Sequence, residues 1–373
     1  MSQSADVFVF LDVYAQEGGI QTYNRLLLHS YASLEKPPAQ VFVLRDRDAD
    51  PNPLASHPAF KFHNFYTSSP QRSRLNLALA LWQQFRQQRP QQVICGHVNL
   101  APLLDWLCRP WGIPYSAILH GKEVWQPLPW WKRKALQGAE RIWIVSCYSR
   151  DRACAANHLD PKKVQLLPNA VDGKRFTPGP KPVDLLNKYD FEGCRVLMTV
   201  ARLWSGDPYK GVDVTLRALP KILAECPDVK YLVVGRGDDQ PRLERLVQEL
   251  GLQERVVFAG FVPTAALIEH YRVADAYIMP SQEGFGIVYL EAMACGLPVL
   301  AGDDDGSADP LQEGRLGWRV PHRDVDAVAA ACLEILQGKD SRCNGQWLRE
   351  ETLKQFSYEA FQARLQQLLE DCQ

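Results

Sequence analysis

No run of apolar residues in this 373-residue chain reaches the roughly 18–20 that cross a bilayer, so no spanning helix is expected. The opening stretch MSQSADVFVFLDVY lacks a basic region and carries Asp6 and Asp12 inside its apolar run. That pattern argues against a secretory leader and leads us to expect a cytoplasmic protein. Although there are ten cysteines, no Cys-x-x-Cys pair occurs among them, and several lie in apolar runs such as VICGH and ACLEIL. Reduced thiols, mostly in the core, are expected rather than a disulfide frame or a zinc site. Repeats at solenoid spacing and low-complexity tracts are missing too. Net charge is close to absent, at −1.

That near-zero total conceals two unlike halves. Residues 1–170 carry about +7 and the remainder about −8, which suggests that the first half meets something anionic. An uneven scatter of solvated charge is the plainer alternative. The length exceeds what one hydrophobic core organises, so two domains are expected. With 46% apolar and 10% aromatic residues, the composition is that of a globular protein.

What is present in quantity is alternation. DVFVFLDV, AQVFVLRD, QVICGH, YSAILH, RIWIVS and KVQLLPN read as strands, with helical patterns between most of them. A second series follows: CRVLMTVARL, VKYLVVGRG, ERVVFAGFV, ADAYIMPS and PVLAG. Short apolar strands separated by helices imply parallel sheets covered on both faces, and two series imply two doubly wound α/β domains. Residues 171–193, with Pro178, Pro180 and Pro182 around Gly179, read as the linker. SYEAFQARLQQLLE reads as a final amphipathic helix. Ligands in such sheets bind beyond the carboxyl ends of strands, so two facing sheets would form an inter-domain cleft.

The residues that follow strands carry the chemistry. In PSQEGFGIVYLEAMACGLPVLAG, a strand ends at Pro280–Ser281, and Gly284, Phe285 and Gly286 turn into a helix that Gly296 closes. The N-terminus of that helix offers unpaired N–H groups and a positive dipole end, and the glycines let a phosphate approach the backbone. Glu291, one turn into the helix, suits a ribose diol. Glu283, on the other side, suits hydroxyls of a second sugar. Taken alone, Glu291 is equally a surface helix residue. Arg202 follows the strand CRVLMTVARL and Lys210 opens the next helix, two cations that could clamp a diphosphate. A loop lysine before a glycine is ordinarily just solvated.

In the first half Gly18 and Gly19 precede a helix, as an anion site or a plain tight turn. His120 follows YSAILH, where an imidazole could donate to a sugar hydroxyl or serve only structure. Gly235 and Gly237 in VVGRGDDQP have Gln240 at the third position of a G-x-G-x-x-G pattern, which rejects a dinucleotide-dependent dehydrogenase. Asp303–Asp304–Asp305 reads as a solvated loop rather than a metal site. In WQPLPWWKRKALQGAERIW, Trp125, Trp130 and Trp131 adjoin Lys132, Arg133 and Lys134. They suit an anionic membrane interface or a carbohydrate acceptor, while core packing with a solvated helix face is the plainer reading.

In order, GGIQTYN, HGKE, LLPNAVDGKRF, ARLWSGDPYKG, FAGFV and the E-x7-E stretch EGFGIVYLEAMACGLPV resemble the family 4 glycosyltransferases, over nearly the whole chain. The resemblance implies a GT-B fold. It implies an acceptor-binding Rossmann-like domain over 1–175 and a nucleotide-sugar-binding one over 176–355, with a terminal helix at about 356–373 returning to the first. It implies metal-independent transfer with retention at the anomeric carbon, from a UDP- or GDP-sugar to a carbohydrate or lipid-linked hydroxyl. No further cofactor or nucleic acid is implied. Polysaccharide or glycolipid assembly is the expected setting, in the cytoplasm or peripherally at the inner membrane face.

Carried over by residue, the resemblance implies that Glu291 binds ribose and Glu283 the transferred sugar. Arg202 and Lys210 hold the diphosphate, aided by the N–H groups of Gly286 and Ile287. Gly19 lies against the donor phosphates, His120 near the transferred sugar, and Val262 meets the base through main chain. A sugar-nucleotide epimerase of the same architecture, or a non-catalytic nucleotide-sugar binder, remains as an alternative; only the epimerase would return a new nucleotide sugar without an acceptor.

Overall fold

The computed structural model describes residues 5–206 and 208–370. Residues 371–373, included in the final helix of the sequence reading, and Asp207 in the Arg202–Lys210 loop lie outside the described residues. The chain divides into two compact units.

The first unit runs to Asn169 and takes up the chain again from Tyr358. Its strands are β1 (Val7–Phe10), β2 (Ala39–Val43), β3 (Phe60–Asn64), β4 (Val93–Cys95), β5 (Tyr115–Leu119), β6 (Arg141–Ile144) and β7 (Val164–Leu166). They form one parallel sheet in the order β3-β2-β1-β4-β5-β6-β7. The order reverses beside β1, and β1, β4 and β5 are buried throughout because helices cover both faces. The terminal helix Tyr358–Glu370 packs on the helix Gly19–Ala32, with Phe361 edge-on to Tyr23 at 5.7 Å.

The second unit spans Ala170–Ser357. It comprises β8 (Arg195–Val200), β9 (Val229–Val234), β10 (Val256–Gly260), β11 (Ala276–Met279), β12 (Val299–Gly302) and β13 (Trp318–Val320), in the order β10-β9-β8-β11-β12-β13 and again all parallel. The switch in order falls between β8 and β11, which directs attention to their carboxyl ends.

Two short strands, β3 (FKFHN) and β13 (WRV), were not expected. Each lies at an edge of its sheet and carries polar residues on one face, so it lacks the continuous apolar run that marks the central strands.

The segment read as a linker is folded instead. Val183–Tyr189 is helical, Arg272 donates to the Thr177 carbonyl and hydroxyl, and Lys181 pairs with Asp275 at 2.7 Å. Prolines at 178, 180 and 182 end before that helix begins, so they shape its approach and do not forbid it. The boundary falls at 169/170 rather than 175/176. There Val171 bridges to Ser357, and Arg349 reaches the carbonyls of Gly173 and Phe176.

Candidate functional site

The best-formed part of the site is the turn after β11. Ser281 and the Met279 carbonyl both bond the Tyr289 hydroxyl, at 2.9 Å each, which fixes the helix Ile287–Ala294 against the strand it leaves. The chain enters that helix through Gly286 at φ +87°, and a Cβ there would come within 2.4 Å of the Tyr289 ring. Only glycine fits both the dihedral and the space. The N–H groups of Gly286 and Ile287 therefore head the helix, ahead of Tyr289, whose N–H donates to the Gly286 carbonyl at 3.1 Å. Phe285 is buried edge-on against Phe356 at 5.7 Å, so its side chain belongs to the core and only its backbone can serve a ligand.

Glu283, three residues before Gly286, is gripped on three sides. Its carboxylate lies 2.5 Å from the Lys210 ammonium, with both side chains mostly buried. Its N–H donates to Asp305 Oδ2 at 2.6 Å, and its carbonyl accepts from Gly306 N–H at 2.7 Å. Asp305 also accepts from the Ser307 N–H at 2.9 Å. Burial pushes the Asp305 carboxyl up to about 7, opposed by those bonds. The expectation of a solvated Asp303–Asp305 loop is corrected here: Asp304 is exposed, but Asp305 is fully buried. A buried carboxyl needs donors, and Asp305 finds them in the backbone of the functional loop. Among the described residues no group of three or more His, Cys, Asp or Glu side chains is placed to hold a metal ion.

Arg202 lies two residues beyond β8, its guanidinium 5.0 Å from the Trp204 ring centroid. Arg202, Lys210 and Gly211 line one small depression, edged by Asp213, which pairs with Arg323 at 2.5 Å. Arg202 and Trp204 also border a wider hollow of about 470 Å³ with Arg236, Gly237 and Asp238. Val262 follows β10 and is half-buried; next to it, Phe261 lies under Arg236 at 4.7 Å. Glu291 accepts from the Tyr271 hydroxyl at 2.8 Å. Burial raises its carboxyl to about 7, against the Tyr271 bond and the positive charge of Arg175.

In the first unit, residues after four strands form a second cluster. Asp12 follows β1, Arg45 β2, His97 β4 and His120 β5. Arg45 pairs with Asp12 at 3.2 Å, and Gln21, in the first turn of the helix opened by Gly18 and Gly19, also donates to Asp12. A Cβ added at Gly19 would meet nothing within 4 Å, so the backbone there is open to approach. The His120 ring stands edge-on to Tyr23 of that same helix at 5.2 Å. Its Nε2 bonds the Gly96 carbonyl at 3.1 Å, which places the proton on Nε2 and leaves Nδ1 as an acceptor. His97 lies 6.2 Å away, ring to ring. Burial lowers both imidazoles, His97 to about 4, so both are neutral near pH 7.

Thus the structure gathers Lys210, Glu283, Gly284, Gly286 and Ile287 at one helix end, with Arg202 beside Lys210 and Glu291 one turn further on. It gathers Gly18, Gly19 and His120 separately in the first unit, joined through Tyr23. Sequence reasoning missed Asp12, Arg45, His97, Asp305 and Tyr271. His97 was reachable, because VICGH ends a strand in histidine just as YSAILH does. Tyr271 and Asp305 were not, since each acts across tens of residues on a carboxylate or loop.

Two family models match in sequence: Glycosyltransferase Family 4 over residues 17–175 and Glycosyl transferases group 1 over 194–338. The GDP-mannose-dependent alpha-(1-6)-phosphatidylinositol monomannoside mannosyltransferase of Mycolicibacterium smegmatis is 36% identical over 59% of this chain and 60% of its own length. The enzyme of the same name from Mycobacterium tuberculosis H37Rv is 33% identical over 68% of both chains. The aligned part thus spans between about three fifths and two thirds of these relatives. Among solved structures, Anabaena Alr3699/HepE in complex with UDP superposes with a TM-score of 0.81 at 18% identity, covering 98% of this chain and all of that one. Sucrose-phosphate synthase from Thermosynechococcus elongatus superposes with a TM-score of 0.77 at 22% identity, covering 98% of each. Two all-parallel units of this topology and this sequence kinship make the chain a member of glycosyltransferase family 4 with the GT-B fold.

Proposed function

We propose that the protein transfers a sugar from a nucleotide-diphosphate sugar to a hydroxyl acceptor, with retention and without a metal ion. The observation that carries this reading is the Lys210–Glu283 pair set at the glycine-opened N-terminus of Ile287–Ala294. In this reading the departing diphosphate lies on that helix end, with Lys210 and Arg202 against it, Glu291 accepts from ribose and Glu283 from the transferred sugar. The base meets main chain near Val262. Fixed cations and a helix dipole aimed at developing negative charge are the largest available source of barrier lowering. In the first unit, taken by itself, Gly18 and Gly19 offer backbone to phosphate and His120 offers its ring to a sugar, with neutral His120 and His97 able to bond hydroxyls.

The bond from the anomeric carbon to the leaving phosphate oxygen breaks as that carbon bonds the acceptor oxygen on the same face. The acceptor's proton passes to the leaving oxygen, so no protein base is needed. A glycosyl adduct on Glu283, detected by mass spectrometry, would replace this route with double displacement. Because the mycobacterial relatives are named for GDP-mannose and a phosphatidylinositol mannoside, GDP-mannose and a glycolipid acceptor are the first substrates to test. GDP is expected to raise the melting temperature, and GDP-mannose to be consumed only with acceptor, in EDTA as in buffer. Failure of every nucleotide to shift melting would remove the reading.

The reading extends to a peripheral position on an anionic membrane. Trp106, Trp130 and Trp131 are 70%, 64% and 49% exposed on two helices, Ala101–Cys108 and Trp130–Gly138, that pack together. The plainer expectation of core packing therefore fails for Trp130 and Trp131, and holds in part for Trp125, which bonds Ser149 at 3.1 Å. Among the described residues no helix is long and apolar enough to cross a membrane. Flotation with phosphatidylglycerol vesicles, reduced by W130A/W131A, is expected. Wild-type protein left at the bottom of the gradient removes the membrane contact but not the reaction.

A further inference from the structure

Three neighbouring strands of the second sheet, β8, β11 and β12, run parallel, so the loops that leave them lie side by side at one end. The middle loop, after β11, carries Glu283. On one flank it meets the loop after β8, where the Gln282 N–H donates to the Tyr209 carbonyl at 3.2 Å and Lys210 reaches the Glu283 carboxylate. On the other flank lies the loop after β12, which carries Asp305.

That second flank is joined by backbone and one carboxylate. Gly306 packs so closely that a Cβ there would come within 2.0 Å of the Gly284 carbonyl oxygen. Asp305 Oδ2 accepts from the Glu283 N–H at 2.6 Å, and the Gly306 N–H bonds the Glu283 carbonyl, so both peptide groups of residue 283 are held. Asp305 Oδ1 accepts from the Ser307 N–H and lies beside the Ser307 hydroxyl, which is 3.0 Å from the carbonyl of Gly302 at the end of β12. The carboxylate thus ties Glu283 to the end of a buried strand.

Asp305 is fully buried, and among the described residues no lysine or arginine pairs with it. A carboxylate in such a place costs stability. Closing the turn at Ser307 does not call for one, because serine or asparagine caps a turn as well. What the carboxylate adds is an acceptor at each end, one for each loop. An amide would turn N–H₂ toward one of the two N–H donors. A charged acceptor also makes the shorter and stronger bond, which fits the 2.6 Å contact to Glu283.

We propose that Asp305 is a positioning residue for sugar transfer, setting the Glu283 carboxylate through its own backbone N–H where Lys210 and the transferred sugar meet it. The proposal rests on the transferase reading, in which Glu283 touches the sugar of the donor and not its nucleotide. The test is a double-mutant cycle of D305N and E283Q, with S307A alongside. Transfer is followed from GDP-mannose and UDP-glucose to phosphatidylinositol monomannoside, and affinity for the matching nucleoside diphosphate is measured by calorimetry. D305N is expected to lose ~10-fold or more of the transfer rate, the scale of a misplaced contact in a reacting complex. It should keep its nucleotide affinity and cost less than ~2-fold further in the E283Q background, because two residues acting through one contact are not additive. S307A, which leaves the Glu283 bond in place, should keep most of the rate. The proposal is overturned if D305N costs the same factor with and without E283Q, if nucleotide affinity falls along with rate, or if the rate is unchanged. It is overturned as well if S307A matches the loss in D305N, which assigns the effect to the loop after β12, or if D305N no longer melts cooperatively, which makes Asp305 a folding residue. Wild-type protein that transfers sugar from neither donor removes the transferase reading first and the proposal with it, a result visible before any variant is made.

Discussion

Lys210→Ala is expected to lower the rate of sugar transfer by ~10²–10³-fold, the usual loss when one fixed donor to a developing anion is removed. The structural reason is that Lys210 has two tasks. It stands at the helix end where the diphosphate would leave, and it balances Glu283 at 2.5 Å in a mostly buried place. Alanine therefore removes a cation from the leaving group and also leaves a carboxylate without its partner, which repels an incoming diphosphate. Lys210→Arg keeps the charge but replaces a point ammonium with a planar fork, so a partial return of ~10-fold or more is expected. Glu283→Gln should behave differently. It spares the cation, keeps the Asp305 and Gly306 bonds to the backbone of residue 283, and would lose the charge-assisted contact proposed above with the sugar. The discriminating measurement is transfer rate against GDP affinity for the three variants. If Lys210→Ala retained more than a tenth of wild-type turnover with folded protein, the clamp would have to be placed elsewhere.

That clamp also marks how far the sequence is legible. Central strands such as VFVF and RVLMTV, buried on both faces, show themselves as unbroken apolar runs, and rules about strand ends then lead directly to Arg202, His120 and the turn at Gly286. Edge strands such as FKFHN keep polar residues on an open face and lose that contrast. The segment with Pro178, Pro180 and Pro182 reads as a linker because proline weighs against regular structure, whereas Arg272 and Asp275, about ninety residues later, hold it in the second unit. Asp305 shows the deeper limit. Three consecutive aspartates look equally solvated in sequence, and only the fold turns the third one inward to the N–H of Glu283, 22 residues earlier. Contacts of that span have no local pattern, and they are the ones that position the functional loop.

Glu291→Gln is expected to stabilise the protein at pH 8 while weakening its hold on nucleotide. Burial lifts the Glu291 carboxyl from an ordinary 4.5 to about 7, and the Tyr271 bond does not offset it. The folded chain thus keeps a proton that the unfolded chain has lost between pH 4.5 and 7, so stability falls as pH rises through that window and levels off above it. The full effect corresponds to ~3 kcal/mol against the ionised form. Glutamine has the same shape, still accepts from Tyr271 and carries no charge to desolvate. Denaturant melts should therefore show the variant ahead by ~1–3 kcal/mol at pH 8 and level with wild type near pH 4.5. Asp305, raised in the same way, is common to both proteins and cancels in the difference. A ribose diol reverses the preference, since two hydroxyl donors favour the carboxylate over the acid and such bonds to a charged group are worth ~1.5–3 kcal/mol. Binding of GDP to wild type should then release part of a proton at pH 7, and the ratio of wild-type to variant affinity should climb by ~10-fold or more between pH 5.5 and 8. Calorimetry in two buffers of different ionisation enthalpy measures the released proton directly. An affinity ratio flat across that range would mean that the ribose does not reach Glu291, however well the carboxylate is placed one turn inside the helix.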